Sequence, residues 1–280
     1  MVHAMMADHR SLDKPEGSGC GSFFTDQGWE VYLADLRGHG DSRPPDSNTS
    51  AWSYHDLVQL DIPSLVSFVR KRHPELKLCL FGQSLGGHIS VAAHGAGFIE
   101  KPPEVYALLS TNLWQPSLEN RLIRRAIKPL SLLVFEGISR VFGRFPSRAL
   151  GLGTNDESLG YVRDLCGFWW NDFWGLKSKG LDYGAGIKDL DSPILFVTGK
   201  GDRWMADAKG AETWSRVFPP KLVESWRVGK GDFGLNFAPG HMELTTDVRS
   251  RPLWEALDKR LSEFLRLSPE GAPTPEGVDR

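Results

Sequence analysis

Cysteine is scarce in this chain. Its 280 residues hold three, Cys20, Cys79 and Cys166, and these lie far apart. That excludes an even disulfide framework and any thiolate metal pattern, and it fits a reducing compartment, so a cytoplasmic location is expected. No apolar run approaches the length of a membrane span, and the first twenty residues hold no apolar core of a secretory leader. Neither sign of charge dominates: the formal net charge is −2 with no long like-charge block, which argues against nucleic acid as a partner. No repeat recurs at solenoid or propeller periods. No phosphate loop or metal-ligand set is found, so neither cofactor nor metal is expected. What remains is an ordinary globular composition, 40% hydrophobic and 24% charged, long enough for one large α/β domain or a domain with an insertion.

Glycine, by contrast, is abundant, with 30 residues. The stretch Leu78 to His88 reads Leu-Cys-Leu-Phe-Gly-Gln-Ser-Leu-Gly-Gly-His. An apolar run ends in Gly-x-Ser-x-Gly, and the small-residue helix positions Ile89, Ala92 and Ala93 follow. That is the strand, tight turn and helix of a nucleophile elbow. At this glycine content the five-residue pattern arises in roughly a quarter of shuffled chains, so its flanks carry the argument. Side chains at Gly82 and Gly86 would collide with the neighbouring helix and strand. Leu85 follows the serine, which places its N–H at a helix N-terminus, where partial positive charge can meet a developing oxyanion.

Read in order, residues 2–6 look like the tail of a strand entering a loop. A short helix is expected over 20–27 with Gly28 as its C-cap glycine, then a buried strand over 30–35. Ser53 should cap a helix that Pro63 kinks after Ile62. Strands are expected at 76–81, 105–109, 193–199 and 221–228, a helix at 208–218, and a closing helix from Trp254. Between about Thr111 and Lys188 the alternation stops. There Ser117 should cap a helix running through Arg121, Arg124, Arg125 and Lys128, with Pro129 interrupting it. An aromatic cluster follows at Phe168, Trp169, Trp170, Phe173 and Trp174, read as cap core in preference to a substrate box. The expected division is 1–111 and 189–266 as two parts of one core, 112–188 as a helical insertion capping a site, and 267–280 as a flexible tail.

Alternating strands and helices argue a parallel α/β sheet, whose site lies at the carboxyl ends of the strands. Ser84, Asp202 and His241 each fall just past an expected strand. Their order along the chain, Ser then Asp then His, is the hydrolase order. Asp207 is a nearby alternative to Asp202. His39 and His88 are read as structural, although His88 could line a pocket. The Arg121 to Lys128 run is read as a solvated helix face, with a membrane-surface role beside the apolar 130–135 run as the alternative.

Together, Asp35-Leu36-Arg37-Gly38-His39-Gly40-Asp41-Ser42, the Gly82 to Gly87 elbow, Gly199 to Asp202 and Gly240-His241 resemble the α/β-hydrolases over roughly residues 1–266. The likeness is strongest to the serine-aminopeptidase-like and lysophospholipase-like branch with a helical cap. It implies Ser84 as nucleophile, His241 as base and Asp202 as orienter, with oxyanion donors at Leu85 and Met5. Met5 enters because His3-Ala4 stands where the family often has His-Gly. The family fold also places a hairpin and most of a central strand before that position, whereas Met1 and Val2 alone precede His3 here. A fragment lacking its N-terminal strands is therefore expected, with unpaired backbone inside the core. Its melting temperature should rise when upstream residues are added.

The implied activity is carboxylic-ester hydrolysis through an acyl-enzyme on Ser84, with a hydrophobic acyl substrate inferred from the aromatic insertion. Two alternatives stay open: an inactive scaffold that binds a hydrophobic ligand or protein, and an acyltransferase. Peripheral membrane contact stays the alternative to a solvated face for the basic run.

Overall fold

A computed structural model describes residues 1–43 and 51–267. The tail expected beyond 267 lies outside the described residues. The centre is a four-stranded parallel sheet in the order β1 (Cys79–Gln83), β2 (Val105–Leu109), β3 (Ile194–Gly199) and β4 (Val223–Val228). Its register pairs Leu80 with Tyr106, Leu108 with Phe196, and Phe196 with Ser225. β2 and the first residues of β1 and β3 read as apolar runs because both of their faces are covered. Side chains alternate between two cores. Leu80, Tyr106, Leu108, Ile194 and Phe196 join one; Phe81, Val105, Ala107, Leu109, Leu195 and Val197 join the other.

Helices close both faces. α1 (Cys20–Asp26) ends before Gly28, whose φ of +89° makes it the left-handed residue expected there. Ser53 caps a short turn, Tyr54–Asp56, in a reciprocal box with Asp56. The chain then widens to a π-turn over Leu57–Asp61 before α2 (Ile62–Arg72). Pro63 has no N–H for residue 59, so the expected disruption takes this form. α3 (Leu85–Gly95) follows the elbow, α6 (Ala208–Ser215) follows β3, and α7 (Arg251–Leu267) closes the chain. Phe23 and Phe24 of α1 meet Trp254, Leu257 and Leu261 of α7 in the second core.

The strand expected over 30–35 is not a regular strand. Ala34 makes a single parallel bridge to Val2, which bridges Gly82 on its other side. The Met1 amino group donates to the Tyr32 carbonyl at 2.6 Å, Val2 N–H to Phe81 O at 2.8 Å, and Gln83 N–H to Val2 O at 3.0 Å. The ladder of this segment is as short as its partner, and an apolar cavity of about 200 Å³, lined by Val31, Leu33, Leu78 and Leu80, lies along it.

From 112 to 188 no residue joins the central sheet among those described. This segment holds α4 (Leu122–Phe142) and α5 (Leu159–Trp170), with two-residue ladders pairing Arg144–Phe145 to Glu157–Ser158 and Gly175–Leu176 to Leu181–Asp182. Two expectations fail here. Ser117 does not cap the helix: its N–H and hydroxyl bond to Asp172, and the helix starts after Arg121. Pro129 does not interrupt α4, which runs through it and gives up one bond to the carbonyl four residues back. The basic run is a solvated face only at Arg121 and Arg125. Arg124 and Lys128 are buried, paired with Asp207 and Glu119.

Candidate active site

Ser84 sits at the carboxyl end of β1 with φ +52° and ψ −114°, a conformation that a non-glycine residue holds only when its surroundings impose it. Three glycines supply those surroundings. A Cβ on Gly82 would lie 2.5 Å from the Gly87 backbone, one on Gly86 2.3 Å from the Val2 carbonyl oxygen, and one on Gly87 2.1 Å from Thr111 Oγ1. The collisions expected at Gly82 and Gly86 are thus with the following helix and with the Val2 segment. Ser84 N–H donates to Leu109 O at 2.9 Å, tying the elbow to β2.

Two loops converge on this serine. Asp202 lies directly after β3, where its carboxylate accepts from the Met205 and Ala206 N–H groups at 3.0 and 2.9 Å. His241 lies in the long connection after β4. Gly201 N–H donates to Pro239 O at 2.9 Å, and a Cβ on Gly199 would lie 2.1 Å from that oxygen, so glycine is needed for the two loops to touch. His241 Nδ1 is 2.6 Å from Asp202 Oδ2, and its Nε2 is 2.9 Å from Ser84 Oγ.

The proton positions follow from the partners. Burial alone would push the Asp202 carboxyl up, but the bond from His241, the imidazole's charge and the Ala206 and Trp204 amides outweigh it and hold it below the ordinary value. An ionised carboxylate only accepts, so His241 Nδ1 donates to it. In the neutral imidazole Nε2 is then the free acceptor that faces the Ser84 hydroxyl. Asp207 plays another part: it caps α6 by accepting from the Lys209 and Gly210 N–H groups.

Beside Ser84 opens a cavity of about 190 Å³, lined by Met5, Leu85, Trp114, Leu132, Phe135 and Tyr161 among others. Neither the Leu85 nor the Met5 N–H donates to another protein group among the described residues. The aromatic cluster at 168–174 does not line this cavity. Phe168, Trp169 and Trp174 are buried in the first core.

His88 lines the cavity and is also buried, and burial pushes its imidazole down to about 3, so the ring is neutral. The Tyr54 oxygen accepts from Trp174 Nε1–H at 3.0 Å and lies 2.8 Å from His88 Nδ1.

Sequence reasoning missed the support of the Met5 loop. Met6 has φ +59°. Its N–H donates to Glu157 Oε1, and its carbonyl accepts from Thr154 and Asn155. Glu157 also bonds His39 Nε2 at 3.2 Å, with both side chains fully buried. No spacing signal joins residues this far apart. His39 keeps its structural reading through this pair.

One acidic group, His9, Asp35 and Asp41, brings ligand atoms within 4.8 Å of one another. These residues already bond among themselves, His9 Nδ1 to Asp35 at 2.8 Å and Asp41 N–H to Asp35 at 2.8 Å, and none lines the cavity.

Residues 19–149 match the family described as serine aminopeptidase, S33. Human lipase member N is 28% identical over 100 residues, a match spanning 33% of this chain and 25% of that protein. The chain thus matches about a quarter of the length of its curated relatives. Among solved structures, the monoacylglycerol lipase of Paleococcus ferrophilus superposes with a TM-score of 0.56 at 15% identity, covering 94% of this chain and 93% of that one. A thermophilic esterase from Thermogutta terrifontis gives 0.54 at 14% identity, over 95% and 88%. At such identities the likeness speaks to the fold.

Proposed function

We propose that this chain, which has the α/β-hydrolase fold and matches the serine aminopeptidase S33 family over residues 19–149, is a serine hydrolase acting on carboxylic esters of hydrophobic acyl groups. The observation that carries the reading is the relay from Asp202 through His241 to Ser84, with contacts of 2.6 and 2.9 Å, at the wall of an apolar cavity.

In this reading His241 Nε2 takes the Ser84 proton as the oxygen attacks the carbonyl carbon. Asp202 keeps the imidazole in the useful tautomer and stabilises it once charged. The negative oxygen of the tetrahedral intermediate is met by the Leu85 and Met5 N–H groups, the first at the positive end of α3. Collapse expels the alcohol, which takes the proton from His241. Water then repeats the sequence and frees the acid. Leu132, Phe135 and Phe145 offer the acyl chain an apolar wall, and segment 112–188, which carries them, serves as the cap. Cys20, Cys79 and Cys166 are free thiols, in keeping with a reducing, cytoplasmic setting.

A fluorophosphonate probe followed by a p-nitrophenyl ester series tests the proposal. Labelling of the parent, none of Ser84→Ala, and turnover rising with acyl length are expected. An unlabelled parent that cleaves no ester of any length would refute it.

A further inference from the structure

α4 is built inside out. A surface helix of a water-soluble domain buries its apolar stripe and exposes its charges. Here the buried positions are Arg124, Lys128, Leu132 and Ser139, and the two cations need Asp207 and Glu119 as internal partners. The outward positions are Ile123, Ile127, Leu130, Val134 and Val141, spaced four, three, four and seven apart. Ile123 is 69% exposed, Leu130 61% and Val141 78%, so these side chains stand in the open. Burying two charges while exposing a regular apolar stripe is costly in water.

The surroundings of the stripe point to what covers it. Residues 121–152 contain seven arginines and lysines and one acid, Glu136, in a chain whose net charge is −2. Arg121, Arg125, Arg140 and Arg148 are exposed along it, and Glu136, which pairs with Arg140, is largely covered. The apolar surface is also continuous with the cavity: Leu132 and Phe135 line it from α4, and Leu152, 62% exposed, lines its rim. No described helix is long and apolar enough to cross a membrane, so α4 would lie in the plane of one. A second copy of the chain is a poorer occupant, because a two-fold interface would set one basic segment against the other.

We propose that the outward face of α4 docks on an anionic lipid surface, the apolar stripe entering the headgroup boundary and the arginines meeting lipid phosphates. The cavity mouth then opens toward the lipid. Docking itself does not depend on the hydrolase reading, and the test keeps the two apart.

The full chain carrying Ser84→Ala, which leaves lipids intact, is sedimented with vesicles of phosphatidylcholine alone or mixed equally with phosphatidylglycerol. Binding to the mixed vesicles about tenfold tighter than to the neutral ones is expected, weakening as salt rises from about 0.05 to about 0.5 M. Ile123→Asp with Val134→Asp, both at exposed positions, should weaken binding at least about tenfold with the melting temperature unchanged. Arg121→Glu with Arg125→Glu should abolish the preference for the anionic vesicles. If the aspartate variant does not fold, the salt series on the otherwise unaltered chain decides. Absence of binding to either vesicle, binding indifferent to both pairs of changes, or a solution dimer that Val134→Asp dissociates would overturn the proposal.

Discussion

The N–H of Met6 donates to a fully buried carboxylate on Glu157, 151 residues further along the chain. Glu157 is shared with His39, whose imidazole burial would push down but which the glutamate's charge and hydrogen bond raise above its ordinary value. The loop carrying the proposed Met5 donor is therefore held from segment 112–188. Glu157→Ala should leave the Met6 N–H and the buried His39 ring without their acceptor and cost about 2 kcal/mol of stability, read by thermal unfolding. It should also lower kcat about tenfold with KM nearly unchanged, because the donor is needed in the transition state and not for binding. Glu157→Gln keeps an acceptor for Met6 and should lose less on both counts.

Asp202→Asn tests the tautomer argument. An amide can donate to Nδ1 and so place the imidazole proton on Nε2, facing Ser84. A drop in kcat of about 10⁴ is expected, with the fluorophosphonate labelling rate falling alongside. The change also alters stability against pH. The folded carboxyl sits below its unfolded value of 3.8, so its contribution is present above that value and disappears as pH falls through the folded one. The asparagine variant should lack this acid loss.

His88 acts in the same direction, but at higher pH. Unfolded, it takes up a proton as pH falls through 6.5; folded, it does so only near 3. Between these values the unfolded chain binds more protons, so folding weakens as pH falls, by about 5 kcal/mol at most. His88→Gln should flatten the melting-temperature profile between pH 6.5 and 4 relative to the parent, as scanning calorimetry would show.

Gly86→Ala examines the elbow. The added methyl would sit 2.3 Å from the Val2 carbonyl oxygen, which is backbone and cannot swing away. A loss of about 2 kcal/mol is expected, with melting lowered by roughly 4–8 °C. Fluorophosphonate labelling should slow as well, because Ser84 would shift with the turn.

Much of the sheet was legible because its signals are local. Buried strands at 105–109 and 194–199 are unbroken apolar runs, and the Ser53 cap and the left-handed Gly28 are one-residue features. The segment at 30–35 misled for the same reason: its composition is strand-like, but pairing depends on a partner, and Val2 offers one bridge. Arg124 and Lys128 misled because charge in a sequence says nothing of which face of a helix turns inward. Of the aromatic cluster at 168–174, Phe168, Trp169 and Trp174 are core as read, but Trp170 is exposed; Trp114 and Tyr161 reach the cavity with no motif to mark them.

Residue order alone determined the alternating scaffold, the glycines that a tight serine turn demands, and the succession of Ser84, Asp202 and His241, since these rest on local sterics and strand period. Tertiary structure alone decided that the three meet, that Asp207 caps a helix instead, that Glu157 supports Met6, and that α4 turns its apolar side outward. Those outcomes depend on contacts between residues tens to hundreds of positions apart, and such contacts form only when the chain packs.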